Sequence, residues 1–338
     1  MSLTEIKDQK KSSKEIEDTN KNETNSLENE NINKNELIQI TNNFSGNSSF
    51  SCKFPNQNFA NIVEIQKMDV KILFSRKNIL YSFNSQRMTK FLQGSLVGAS
   101  KETINYILNE LKGTFREIIK NKNGNYFCSN LIKKCDKNNR LAILTELSGT
   151  MNEDCMDEFG TYPIQNLIPL ASGEDEFKLL LTSFNDSDKI LMPSMNAHGT
   201  FVVQKLIKHI PEHLRTHFNS IFVNFISVLS RDTYGAYALE KFILYTKNDQ
   251  IQNQILNIIS NDFVNIATNK NGNYLIQNLL KKWWNNKKGE TLKKLICSKF
   301  HILSSNNYAN YICDLYIKLT KSDNEKESEK VSINTSKK

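Results

Sequence analysis

The hexapeptide NKNGNY stands at residues 121–126 and returns at 269–274, 148 positions later. Since 148 is four times 37, a chain built from 37-residue units would hold three further copies between these two. They are present in altered form: DEFGTYPIQNLI at 157–168, NAHGTFVVQKLI at 196–207 and DTYGAYALEKFI at 232–243 lie between NKNGNYFCSNLI at 121–132 and NKNGNYLIQNLL at 269–280. FNSQRMTKFLQG at 83–94 precedes the series and NNYANYICDLYI at 306–317 follows it. Indexed by the residue after the glycine position, the seven units stand at 86, 125, 161, 200, 236, 273 and 310, in steps of 39, 36, 39, 36, 37 and 37. A period of this length defines a repeat array, whose units cover their apolar faces only by stacking on one another.

Within a unit the apolar residues follow helical spacing: Cys128, Leu131, Ile132 and Cys135; Val203, Leu206, Ile207 and Ile210; Ile276, Leu279, Leu280 and Trp283. These stripes are the expected core. Gly124, Gly160, Gly199, Gly235 and Gly272 suit a tight turn into the helix. Breaks such as Pro211 hand over to a further helix, so each unit reads as two or three short helices without a strand. The first unit has Ser85 and the seventh Ala309 at the glycine position, as irregular solenoid ends would. Residues 59–64, FANIVE, read as part of an N-terminal cap.

The array is flanked by segments of another character. Residues 1–50, with no aromatic residue before Phe44, and 321–338 are polar tails that bury too little apolar surface to fold alone. That leaves 51–320 as the repeat domain. Residues 1–50 carry 6 lysines against 9 acids and 321–338 carry 5 against 4, so of the chain's net +8 the repeat domain holds +10. A basic excess favours polyanionic partners. Six cysteines without a CxxC pair, and no apolar signal segment, point to reduced thiols inside a cell. No apolar run reaches membrane-spanning length.

The core stripe leaves positions one, two and five of each motif helix on another face. These are Gln86, Arg87 and Lys90; Asn125, Tyr126 and Ser129; Thr161, Tyr162 and Gln165; Thr200, Phe201 and Gln204; Ala236, Tyr237 and Glu240; Asn273, Tyr274 and Gln277; Asn310, Tyr311 and Asp314. Position two is aromatic in six units of seven, although aromatics make up 9% of the chain. Packing between repeats would explain any single ring. It does not explain a column flanked by amides and carboxylates, which are costly to bury unpaired. One flat ring per unit between polar groups suits base stacking with base edges touched on either side.

The segments GNYFCSNLI, GTYPIQNLI, GTFVVQKLI and GNYLIQNLL, with the period, the glycine and the three-residue face, resemble Pumilio (PUF) repeats over residues 60–320. The resemblance implies an all-α, right-handed α-solenoid of seven three-helix repeats. Its concave face would bind single-stranded RNA, one base per repeat and antiparallel to the protein. It implies positions one and five as base-edge residues and position two as the stacking residue. It further implies control of messenger RNA translation or decay through 3′-untranslated sites. Asn273 with Gln277 matches the uracil-reading pair, and two amides can meet uracil's acceptor, donor, acceptor edge. Glu240 matches the guanine readers, with Ala236 in place of the usual Ser. Thr161 with Gln165 and Thr200 with Gln204 resemble adenine-type or permissive units, and Asn125 with Ser129 keeps half of the uracil pair. Gln86 with Lys90 and Asn310 with Asp314 match no base. Antiparallel polarity then places a 5′-UG-3′ step on the sixth and fifth units.

His209, His213 and His217 have i, i+4, i+8 spacing, but Pro211 interrupts a helix holding all three and no further ligand completes a metal set. Lysine pairs such as Lys281 and Lys282 read as solvated surface, and Trp284 as a groove wall or a junction cover. No catalytic constellation, metal site or cofactor motif is seen, so no catalysis is expected; the resemblance implies a monomeric RNA-binding protein of the cytoplasm, its effector partners unknown. Two alternatives stay open: a nucleolar protein holding ribosomal RNA precursors with little sequence preference, and a helical scaffold for other proteins.

Overall fold

The computed structural model describes residues 69–335. Residues 1–68, including the FANIVE cap and Cys52, and 336–338 lie outside the described part. Seven motif helices follow the period: Gln86–Ser95, Gly124–Lys134, Thr161–Leu167, Gly199–His209, Thr233–Tyr245, Gly272–Trp283 and Asn310–Thr335. A short helix precedes each of the first six, from Arg76–Ser82 to Phe263–Ala267, and a third helix follows, from Lys101–Leu111 to Lys287–Ser304. Each of the first six repeats is therefore a three-helix unit, and there is no strand among the described residues.

Every motif helix packs on the next motif helix along the chain, and the third helices stack behind them in a second layer. The predicted stripes fill the space between: Cys128, Leu131, Ile132, Val203, Leu206, Ile207, Ile276, Leu279, Leu280 and Trp283 are all at most 2% exposed. One hydrophobic core runs from Leu73 to Cys313. The fold is an α-solenoid.

Two sequence expectations need correction. The repeat glycines do not serve a left-handed turn, since positive φ occurs at Gly98, between the first motif helix and its third helix, and at Gly113 and Gly149, which follow third helices. They serve close approach: a Cβ on Gly124, Gly160, Gly199, Gly235 or Gly272 would lie 2.3–2.9 Å from a backbone carbonyl of the preceding short helix. The boundary at residue 320 also does not coincide with a helix end, because Asn310–Thr335 is continuous. Lysine and glutamate are good helix formers, so a polar segment can extend a helix already nucleated by packing.

Side chains fasten one repeat to the next. Asp154, fully buried, accepts from Arg116 at 2.9 Å and Lys120 at 2.6 Å, both of the second repeat. Glu176, also fully buried, is bound by Arg140 Nε at 2.8 Å and by the Ser172 backbone N–H at 3.0 Å. Burial alone would push the Glu176 carboxyl up, but Arg140 and Ser172 outweigh it and hold it below the usual carboxylate value. A depressed folded-state pKa stabilises above the unfolded value, and that stability is lost as pH falls through the folded one. The urea midpoint should fall on acidification below about pH 4.5, and Glu176→Gln should lower it at pH 7 and flatten the acid limb; an unchanged acid limb in the variant would place the titration elsewhere.

At the C-terminal end, Trp284 covers the junction of the sixth and seventh repeats. It is 7% exposed, and its Nε1 donates to Asp323 Oδ2 at 2.5 Å. Lys293 Nζ lies 4.0 Å from its ring centre and Tyr316 meets it edge-on. Trp284 is thus a junction cover and not a groove wall.

Candidate nucleic-acid interface

From the second repeat onward, each motif helix is launched by an Asn or Asp three residues before the glycine position. Asn121 Oδ1 accepts from the Asn123 and Gly124 N–H groups, both at 2.9 Å. Asp157, Asn196, Asp232, Asn269 and Asn306 repeat the arrangement in the next five units. These caps satisfy otherwise orphaned donors and fix the start of the helix. Sequence reading did not single them out, although every quoted unit from the second onward begins with Asn or Asp.

With the start fixed, position two points outward. Tyr126 is 60% exposed, Tyr162 and Tyr274 52%, Tyr311 49% and Phe201 36%, while Tyr237 and Arg87 are half-buried. For a large aromatic side chain this is unusual exposure, and the column repeats it in five of the seven repeats. Burial pushes the Tyr274 phenol up, and Tyr311 and Tyr237, one repeat to either side, add to the shift.

Position one lies beneath the surface. Asn125, Thr161, Thr200 and Asn273 are 1–2% exposed, Ala236 and Asn310 are half-buried and Gln86 is exposed. The amides of Asn125 and Asn273 donate to backbone carbonyls of the launching turn, Asn273 Nδ2 to Asn269 O at 3.1 Å and Lys270 O at 2.8 Å. The threonine hydroxyls instead reach the following repeat, Thr161 donating to His198 O at 3.0 Å and Thr200 to Tyr234 O at 3.1 Å.

Position five stands above position one and is held by it. Gln277 Nε2 donates to Asn273 Oδ1 at 2.9 Å, Gln165 Nε2 to Thr161 Oγ1 at 3.0 Å and Gln204 Nε2 to Thr200 Oγ1 at 3.3 Å. Each glutamine thereby has its amide orientation set, with Oε1 and the second Nε2 hydrogen left to face a ligand. Ser129 and Glu240 are half-buried, and Lys90 and Asp314 exposed. The result is a ledge along the solenoid: a ring at every step from the second repeat to the seventh and, in the third, fourth and sixth repeats, an oriented amide beside it.

A sequence model described as "Pumilio-family RNA binding repeat" matches residues 115–148, 194–217, 226–260 and 262–283. The chain carries Pumilio-family repeats. The matched segments cover the second, fourth, fifth and sixth units, and the motif helices of the first, third and seventh units pack in the same array. Pumilio homolog 12 of Arabidopsis thaliana is 24% identical over 206 residues, 60% of this chain and 34% of the relative. The chain thus spans about a third of that relative's length. Among solved structures, the RNA-binding domain of yeast Puf5p bound to AAT2 RNA shares the fold with a TM-score of 0.65 at 19% identity, over 75% of this chain and 71% of that one. The Puf3 RNA binding domain bound to a Cox17 RNA 3′ UTR recognition sequence gives 0.63 at 20% identity, over 75% and 74%.

The remaining candidates resolve as structural groups. His209, His213 and His217 fall on three separate elements, and no cluster of three metal-ligating side chains occurs among the described residues. Cys128, Cys135, Cys155 and Cys313 are buried and free; burial pushes Cys135 up to about 12, and Cys128, Cys155 and Cys313 up as well. Such thiols are protonated at neutral pH and poor nucleophiles. No helix of the described residues is long and apolar enough to cross a membrane.

Proposed function

We propose that the chain binds single-stranded RNA along the motif-helix ledge, one base per repeat and antiparallel to the protein, and that it acts without catalysis on messenger RNAs through 3′-untranslated sites in the cytoplasm. The observation that carries this reading is the exposed ring column with an oriented polar side chain beside it. Exposed rings offer stacking platforms, and the glutamines offer a donor and an acceptor to a base edge. The RNA-bound Puf5p and Puf3 domains have the same fold, which supports it.

The sixth repeat supplies the sharpest base assignment. Gln277, oriented by Asn273, presents the acceptor and donor that uracil's N3–H and a neighbouring carbonyl require. In the fifth, the Glu240 carboxylate favours the donor edge of guanine. A 5′-UG-3′ step follows from antiparallel polarity.

Selection of bound RNAs from a randomised pool, with the full chain and with Asn273→Ser and Gln277→Glu combined, tests this. The expected result is a defined motif containing UG, whose U becomes G in the variant. Enrichment without a motif would replace it with a structure-reading role on ribosomal RNA precursors. No RNA retention would leave a protein-binding scaffold.

A further inference from the structure

Four residues beyond position five, at position nine, the motif helices carry a second regular column. It is lysine in four repeats of seven, Lys133, Lys208, Lys281 and Lys318, and acidic in none, whereas Lys and Arg together supply 44 of the 338 residues. All four lysines are exposed, and none is ion-paired among the described residues. In the other three repeats the position holds Gly94, Pro169 and Leu244.

At 3.6 residues per turn, positions one, two, five and nine fall within about 100° of arc, so the lysines share the face of the rings and glutamines. They lie roughly 6 Å further along the axis than position five. Helix side chains lean towards the N-terminus, which carries each ammonium back towards the ledge. Over those four positions the seven repeats carry six cations (Arg87, Lys90 and the four lysines) against two anions, Glu240 and Asp314.

Favourable placement of cations at helix C-termini is the ordinary explanation for such lysines. It does not account for this pattern. The third helices Lys101–Leu111, Lys137–Leu147, Glu174–Thr182, Thr216–Asn224 and Asp249–Asn261 end without a single basic residue in the last turn. Motif helices Gly124–Lys134, Gly199–His209 and Gly272–Trp283 each end with two. Lys318 lies inside the long last helix, far from its C-terminus.

We propose that Lys133, Lys208, Lys281 and Lys318 form a phosphate-gripping row that runs beside the base-contacting ledge and holds the backbone of the same RNA strand. This rests on the RNA-binding reading above. The row has the step of the rings, so each lysine meets the strand once per occupied repeat, and it adds affinity that does not depend on sequence.

The test measures RNA affinity against KCl concentration for the full chain, using the selected RNA and a copy with its UG step changed. Replacing the four lysines by glutamine should make the slope of log affinity against log salt shallower by about 2.8, since each single-strand phosphate contact contributes about 0.7. Between 50 and 200 mM salt the wild type then loses roughly 50-fold more affinity than the variant, while discrimination between the two RNAs is unchanged. A control with Lys112, Lys247, Lys294 and Lys299, exposed and off the motif helices, changed to glutamine carries the same charge loss and should keep most of the slope. Equal loss in both variants overturns the row in favour of a diffuse field, and an unchanged slope in the first overturns it outright. Exchange of the four for arginine should preserve the slope; a loss there would make the row a packing requirement and refute phosphate contact. If the wild type binds no RNA, the parent reading fails instead.

Discussion

Alanine at Tyr126, Tyr162 and Tyr274 together should weaken RNA binding by at least about 100-fold and leave the fold intact. Stacked bases contribute roughly 1–3 kcal/mol each, so three platforms account for about 3–9 kcal/mol, and 1.4 kcal/mol is a factor of ten. The three rings are 60%, 52% and 52% exposed and belong to three different repeats. Exposed substitutions of this kind change stability by about 0.5 kcal/mol or less each. Fluorescence anisotropy with the selected RNA, alongside urea unfolding, separates the two effects. An affinity within ten-fold of wild type, in a variant with an unchanged urea midpoint, would mean that the rings are not platforms and that the exposed column serves another partner.

Gly272→Ala should destabilise the protein by about 1–3 kcal/mol, the range for overpacking a well-packed site. Helix propensity alone predicts the opposite sign, since alanine in a helix is favoured over glycine by up to about 1 kcal/mol. The clash decides: the added Cβ would sit 2.3 Å from Ile266 O and 3.0 Å from Ile266 Cγ2, and a backbone carbonyl in the preceding helix cannot give way cheaply. Because Asn269 caps the same turn, the sixth motif helix would have to shift as a body, and its ring with it. Urea unfolding at constant m-value measures the loss. A stabilised variant would show that the two helices can separate without cost, and the packing account of the repeat glycines would fall.

How far the molecule was legible from its sequence differs by element. The period, the core stripes and the ring column could be read directly, because helical spacing, burial and exposure each leave a pattern that repeats. Position one could not. Asn125, Thr161, Thr200 and Asn273 are polar residues next to an exposed ring and read as outward-facing, yet they are buried, the asparagines under their own launching turn and the threonines against the next repeat. Contact between units is invisible to a pattern taken within one unit. The glycines were placed correctly but for a different reason, since close approach of two helices leaves the same single-letter trace as a left-handed turn. The caps were legible in principle: Asn121, Asp157, Asn196, Asp232, Asn269 and Asn306 are the residue types that cap helices, three positions before each glycine or its alanine substitute. The C-terminal helix was misread because composition measures whether a segment can fold alone, and Asn310–Thr335 is nucleated by Ile312 and Cys313, which are packed in the core.

In five of the six repeats that have a third helix, a break in the helix separates it from the short helix that follows. The sixth has none: Lys287–Ser304 continues for 18 residues where two elements and a break would be expected. A single rod about 27 Å long thus joins the last two units, and Trp284, clamped to Asp323, braces it from the side. The other junctions are interrupted, by one residue at Phe225 and Asp262 and by more elsewhere, whereas bending here would have to break helical hydrogen bonds. The solenoid is therefore an unevenly sprung object, compliant along most of its length and stiff at one end. A long ligand that needs a different curvature will find it in the earlier repeats, with the last two moving as one lever arm.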